Sequence, residues 1–227
     1  MPQQAYPVPA VDQFKGRLAS RLRALADESG MDEFVMPVGL FLLIDTAHGG
    51  DATADEVARR FGLLDFESGK VIDFYFLGWE RCPGGEGICF SLPAFESFRT
   101  ALRQNGITGF GGNADLILVD ARYHSGRIEL DFGHAMRIDL ATRAAEKEFA
   151  TLGAFLQSIV EAAEAVRSSQ GNAGSAVFSI SDRLGVAIAK KSIIGFFLEM
   201  WGKLIGAKEM AGLAVRSLGP TVPLDRF

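Results

Sequence analysis

The sequence predicts a mixed α/β (α+β) domain with an amphipathic helical segment on its C-terminal side. Three observations predict it. Short apolar, β-prone runs alternate with stretches of helical apolar spacing. A Gly/Ser-rich break, Ser168 to Ser175, follows the last of those stretches. Beyond the break, residues 184–205 are dense in apolar side chains and yet carry several lysines.

The elements follow in order. Residues 1–10, with Pro2, Pro7 and Pro9 and no periodicity, are expected to be a flexible lead-in. Val11, Phe14, Leu18, Leu22 and Leu25 recur at helical spacing before Gly30, with Lys15, Arg17, Arg21 and Arg23 between them, so a helix is expected over about 11–28. Val38–Ile44, bounded by Pro37 and His48-Gly49-Gly50, is expected to be a buried strand. A short helix follows, with Asp51 or Thr53 as its N-cap. Val71–Leu77 is aromatic and β-prone, and Pro93 opens a helix presenting Phe95, Phe98 and Leu102. Leu116–Val119 and Arg127–Phe132 flank a turn at Tyr123–Gly126 and predict a hairpin, with a further short strand over Ala135–Leu140. A long helix over about 143–167, with its stripe of Phe149, Leu152, Leu156, Ile159, Val160 and Ala163, closes the domain.

The expected organisation is therefore a lead-in at 1–10, an α/β domain at 11–167, a linker at 168–175, a hydrophobic helical segment at 176–216 and an extended tail at 217–227. From residue 38 the order strand, helix, strand, helix, strand, strand, helix is similar to that of the thioredoxin-like fold, by analogy of order only. Where that family carries its redox cysteines, this chain reads Thr46-Ala-His-Gly-Gly-Asp51. The resemblance thus implies a fold order and no redox activity.

Composition excludes several function classes. With 227 residues, 48% hydrophobic and 22% charged, the chain is long enough to bury a core without staples. A formal charge of -5 argues against a general nucleic-acid binder, so nucleic acid is not an expected partner. No basic stretch followed by an apolar run opens the sequence, and a cytoplasmic address is expected. Cys82 and Cys89 are spaced too widely for a CxxC pair and lack the rest of a zinc site, so two reduced thiols are expected.

No complete catalytic motif is present, and no metal or cofactor is expected. Asp45, His48 and Asp51 lie just past a buried strand, where open α/β sheets place ligands, and Gly49-Gly50 would let backbone N–H groups approach an anion. Helix capping and tight turn geometry explain the same residues and are the expected role. Asp115, Asp120, Glu129 and Asp131 gather on the hairpin in a pattern similar to the metal-binding carboxylates of restriction-type nucleases. That pattern wants a Lys two residues after the Glu, and Asp131 stands there. A solvated sheet face is expected instead. A small hydrolase or degenerate nuclease using Asp45, His48 and these carboxylates is the alternative function.

Residues 182–208 give the main expectation. Ile193, Ile194, Phe197, Met200, Trp201, Leu204 and Ile205 form a wide apolar face, with Lys190, Lys191 and Lys203 beside it. Five cations stand against two carboxylates within a chain of negative charge. Four charges between 190 and 203 rule out an ordinary membrane-spanning helix. Glycines at 185, 195, 202 and 206 mean that such a helix needs a support. The expected function is non-catalytic binding or assembly, through self-association or a protein partner, with engagement of a membrane surface as a further alternative.

Overall fold

The computed structural model describes residues 5–62, 71–84, 87–111, 113–145, 151–169, 177, 180 and 215–227. Strands β1 (Ala5–Val8), β2 (Glu33–Leu43), β3 (Asp73–Leu77), β6 (Ala114–His124), β7 (Arg127–Asp139), β8 (Val215–Arg216) and β9 (Thr221–Pro223) form one mixed sheet. Its order is β1-β3-β2-β6-β7, with β8 and β9 both pairing β7. The first three strands are parallel, and β6 runs antiparallel to β2 and β7 antiparallel to β6. A small separate hairpin pairs β4 (Trp79–Arg81) with β5 (Ile88–Phe90). The helices are α1 (Val11–Ser29), α2 (Ala52–Arg59), α3 (Leu92–Gln104), α4 (Leu140–Ala145) and α5 (Leu152–Ser169).

Each parallel pair needs a crossover, and α1 and α2 supply them. Helices α1 and α3 cover one face through Phe14, Leu18, Leu22, Phe95, Phe98 and Leu102. Helices α2 and α5 cover the other through Val57, Leu156 and Ile159, joined by Val177 and Ile180. The mixed α/β class is as expected. Adding β1 and α1 in front extends the thioredoxin-like order by one strand and one helix, still as an analogy of order.

Several boundaries differ from expectation for identifiable reasons. Residues 5–8, expected as a flexible lead-in, form edge strand β1 because Ala5 and Val8 are fully buried against β3. Pro7 is tolerated there because an edge strand has one unpaired side. Strand β2 starts before Pro37, since β3 pairs only from Val38 onward and leaves one side of β2 without a ladder at the proline. The two short strands expected at 127–132 and 135–140 are one strand, β7, which passes a register shift opposite Leu118/Asp120. The tail is docked: Leu218 N donates to Phe132 O, Leu224 N donates to Ile128 O, and Phe227 packs on Phe14 and Phe132.

Beneath α1 lies a buried ion pair. Asp73 opens β3 fully buried, and Arg21 Nε lies 3.3 Å from its carboxylate. Burial raises the Asp73 carboxyl from 3.8 to about 6, against the opposing pull of Arg21. A folded value above the unfolded one means the folded state binds the proton more tightly. The associated stability is complete below about pH 3.8 and is lost as pH rises through about 6. That difference corresponds to about 3 kcal/mol. Urea denaturation of Asp73→Asn beside the parent chain, from pH 4 to pH 7, is expected to show the parent losing stability relative to the variant by roughly that amount. Parallel profiles would show that Asp73 does not titrate in this window.

Candidate functional site

The end of β2 carries the turn singled out in the sequence. Asp45 caps a single 3-10 turn, Thr46–His48, its carboxylate accepting from His48 N at 3.1 Å and lying 2.6 Å from His48 Nδ1. The structure therefore brings Asp45 and His48 together. Their side chains are partly exposed, and the His48 ring tilts against Phe90 of β5. Asp51 belongs to the next element: it caps α2, accepting from Thr53 N at 2.7 Å. Those hydrogen bonds from Thr53, stronger than the opposing effect of burial, hold the Asp51 carboxyl below its ordinary value.

The backbone donors of this turn are already engaged. His48 N and Gly50 N donate to Asp45 O, and Gly49 N donates to Thr46 O. A Cβ at Gly50 would collide with the Ile44 carbonyl, so glycine is required for the chain to double back. The Gly49-Gly50 pair thus closes a turn upon itself, and its N–H groups do not form an open anion cradle. Asp45→Ala and Asp51→Ala are each expected to cost about 1 kcal/mol by chemical denaturation, as lost caps do. His48→Gln should lower stability by a similar or smaller amount.

The hairpin carboxylates do not form one site. Asp115 points toward the α1/α3 face, with Arg137 at 2.8 Å and Gly111 N at 3.1 Å. Asp120 and Asp131 are opposed across β6 and β7, and strand alternation puts them on the α5 face with Arg122. Asp115, Asp120 and Asp131 are all buried, which overturns the expected solvated face. The reason is specific pairing. Asp131 takes Arg122 at 2.7 Å, His134 at 3.1 Å and Gly133 N at 3.0 Å, while Asp120 accepts Val177 N at 3.1 Å. Burial raises Asp131, but the hydrogen bonds from His134 and Arg122 outweigh it and hold the carboxyl low. Only Glu129 of the four stays partly exposed, two residues farther from the β2 turn along β7 than Asp131. Among the described residues no group of His, Cys, Asp and Glu could hold a metal ion.

The cysteines are the clearest correction. Cys82 and Cys89 form a disulfide with Cα atoms 5.0 Å apart. Pairing of Trp79 with Phe90 and Arg81 with Ile88 brings the two ends together, within the span a disulfide can close. The hairpin is fixed to the sheet at its base: Trp79 Nε1 donates to Leu43 O at 3.1 Å. Gly78 turns the chain with φ 81°, where a Cβ would lie 2.6 Å from Phe95 Cα. Thiol titration of the denatured, unreduced chain is expected to find no free thiol, and two after reduction; two thiols before reduction would restore the sequence expectation.

The apolar face of Ile193, Ile194, Phe197, Met200, Trp201, Leu204 and Ile205, with Lys190, Lys191 and Lys203, lies outside the described residues. Its flanks are described. Val177 and Ile180 are fully buried in the α2/α5 core, and Val215–Arg216 pairs with β7. No helix of the described residues is long and apolar enough to cross a membrane. Compared with known proteins, the chain matches no family model, no curated protein and no solved structure.

Proposed function

We propose that the protein is a non-catalytic binding or assembly protein whose segment 182–208 docks on its own domain, on a second copy or on a protein partner. What supports this most is the way the chain enters and leaves that segment. Ile180 is buried in the core, Val177 N is held by the Asp120 carboxylate, and the chain returns to the same sheet at Val215. The chain is thus tied to one domain on both sides of the apolar, basic stretch. Its seven large apolar side chains gain roughly 1.5–3 kcal/mol each on burial, so a protein cover is favoured over water.

The alternative acid–base reading has less support. Asp45 and His48 stand beyond β2, Asp115 faces α1 and α3, and Asp120 and Asp131 face α5. The cytoplasmic address expected from the sequence stands against the Cys82–Cys89 disulfide, because such bonds persist chiefly in oxidising surroundings.

The test is the double variant Phe197→Glu, Trp201→Glu in the full chain, compared with the parent by light scattering after gel filtration. Aggregation or a changed oligomeric state is expected. Trp201 emission should be blue-shifted without lipid, read as the difference from Trp201→Phe because buried Trp79 also emits. A variant with unchanged assembly that loses only binding to anionic vesicles would overturn this reading in favour of a membrane surface.

A further inference from the structure

The geometry points to a second, independent site: a cationic cleft that binds a small phosphate-bearing molecule. The cleft encloses about 700 Å³ between α1, the β6–β7 turn and the C-terminal tail. That volume lies within the ordinary range of small-molecule sites. Lys15, Arg23, Arg127 and Arg226 line it, against Glu129 and Asp225. An excess of cations gathered on a chain of formal charge -5 is a local feature that average composition does not account for.

The cations of α1 are sorted by partner. Arg21 turns inward to buried Asp73, and Arg17 lies over the Tyr6 ring at 5.5 Å. Lys15 and Arg23 instead face the cleft, where Lys15 donates to the Asp225 carbonyl at 3.3 Å. The guanidinium groups of Arg23, Arg127 and Arg226 have no ion pair or hydrogen-bond partner among the described residues. Three unpaired guanidinium forks around one cavity suit phosphate oxygens, which accept two parallel N–H bonds from each.

The space itself comes from small residues. Gly16 and Ala19 leave α1 without bulk at the cleft, and a Cβ on Gly16 would meet nothing within 4 Å. A glycine in a helix interior weakens the helix, and Gly16 relieves no close packing in return. What it leaves is room. The opposite wall is fixed, since Leu224 N donates to Ile128 O and Arg226 N donates to Pro223 O. Ile128 and Leu224 give an apolar floor, so the ligand has an uncharged part beside its phosphate. Among the described residues no Phe, Tyr or Trp lines the cleft, so these offer no stacking platform of the kind single-stranded nucleic acid uses.

Isothermal titration of the full chain with inorganic pyrophosphate at low ionic strength is expected to show saturable one-site binding that weakens as salt is added. Arg127→Gln and Arg226→Gln should each weaken it roughly tenfold. Glu129→Gln should strengthen it by removing a like charge. Gly16→Leu should abolish binding without lowering the unfolding midpoint, because leucine favours a helix and its side chain fills the cleft. Should that variant fail to fold, the arginine variants, whose side chains are exposed, still decide the matter. No saturable binding, or binding unchanged in the Arg127→Gln, Arg226→Gln double variant, would overturn the proposal. So would tight binding of a single-stranded oligonucleotide with pyrophosphate silent.

Discussion

Eight consecutive buried residues, Met36–Leu43, impose the alternation on which both helical layers rest. Val38, Leu40 and Leu42 face α1 and α3, whereas Phe41 and Leu43 face α2 and α5. The strand is laddered to β3 on one side and along all eleven residues to β6 on the other. A slip of one residue would exchange every side chain between the two cores. Gly39 makes that slip harder still, because the Phe74 ring occupies the space a side chain would take, and no neighbouring residue of β2 could stand there.

This division of the core also explains which parts of the fold were legible in the sequence. Elements that bury a regular stripe announced themselves: Phe14, Leu18 and Leu22 of α1, Phe95, Phe98 and Leu102 of α3, and the apolar run of β2. Elements that owe their structure to a distant partner did not. Strand β1 is four residues with a proline, and only the parallel ladder to β3 makes it a strand. The tail has no period of its own, yet Val222, Leu224 and Phe227 are buried because β7 and α1 offer them a surface. The disulfide was hidden for the same reason, since spacing alone does not show that β4 and β5 pair.

The candidate site was legible in residue type and less so in role. Asp45 and His48 do meet, as their i, i+3 spacing allows, but the meeting completes a turn. The hairpin carboxylates were counted correctly and placed wrongly. Alternation along β6 and β7 assigns faces, but it cannot say which face is covered, and α5 with Val177 covers the one holding Asp120 and Asp131. A signal was available in Arg122 and His134, the counter-charges that let Asp131 be buried.

The wall of the cationic cleft and the chain that follows segment 182–208 are both chain-distant pieces tied onto the sheet's β7 side. Strand β9 pairs with Glu129, Leu130 and Asp131, so the tail that walls the cationic cleft leans on the same strand whose other face carries the Asp131 network. Strand β8 pairs farther along it, at Ala135 and Met136, and brings back the chain after segment 182–208. Thr221 Oγ1 donates to Asp131 Oδ1 at 3.3 Å, linking the returning chain to the buried carboxylate as well as to the ladder. Loosening β7 at this point would release the cleft wall and the returning chain at Val215–Arg216 together. The cleft wall and the chain that follows segment 182–208 thus share a single mechanical support.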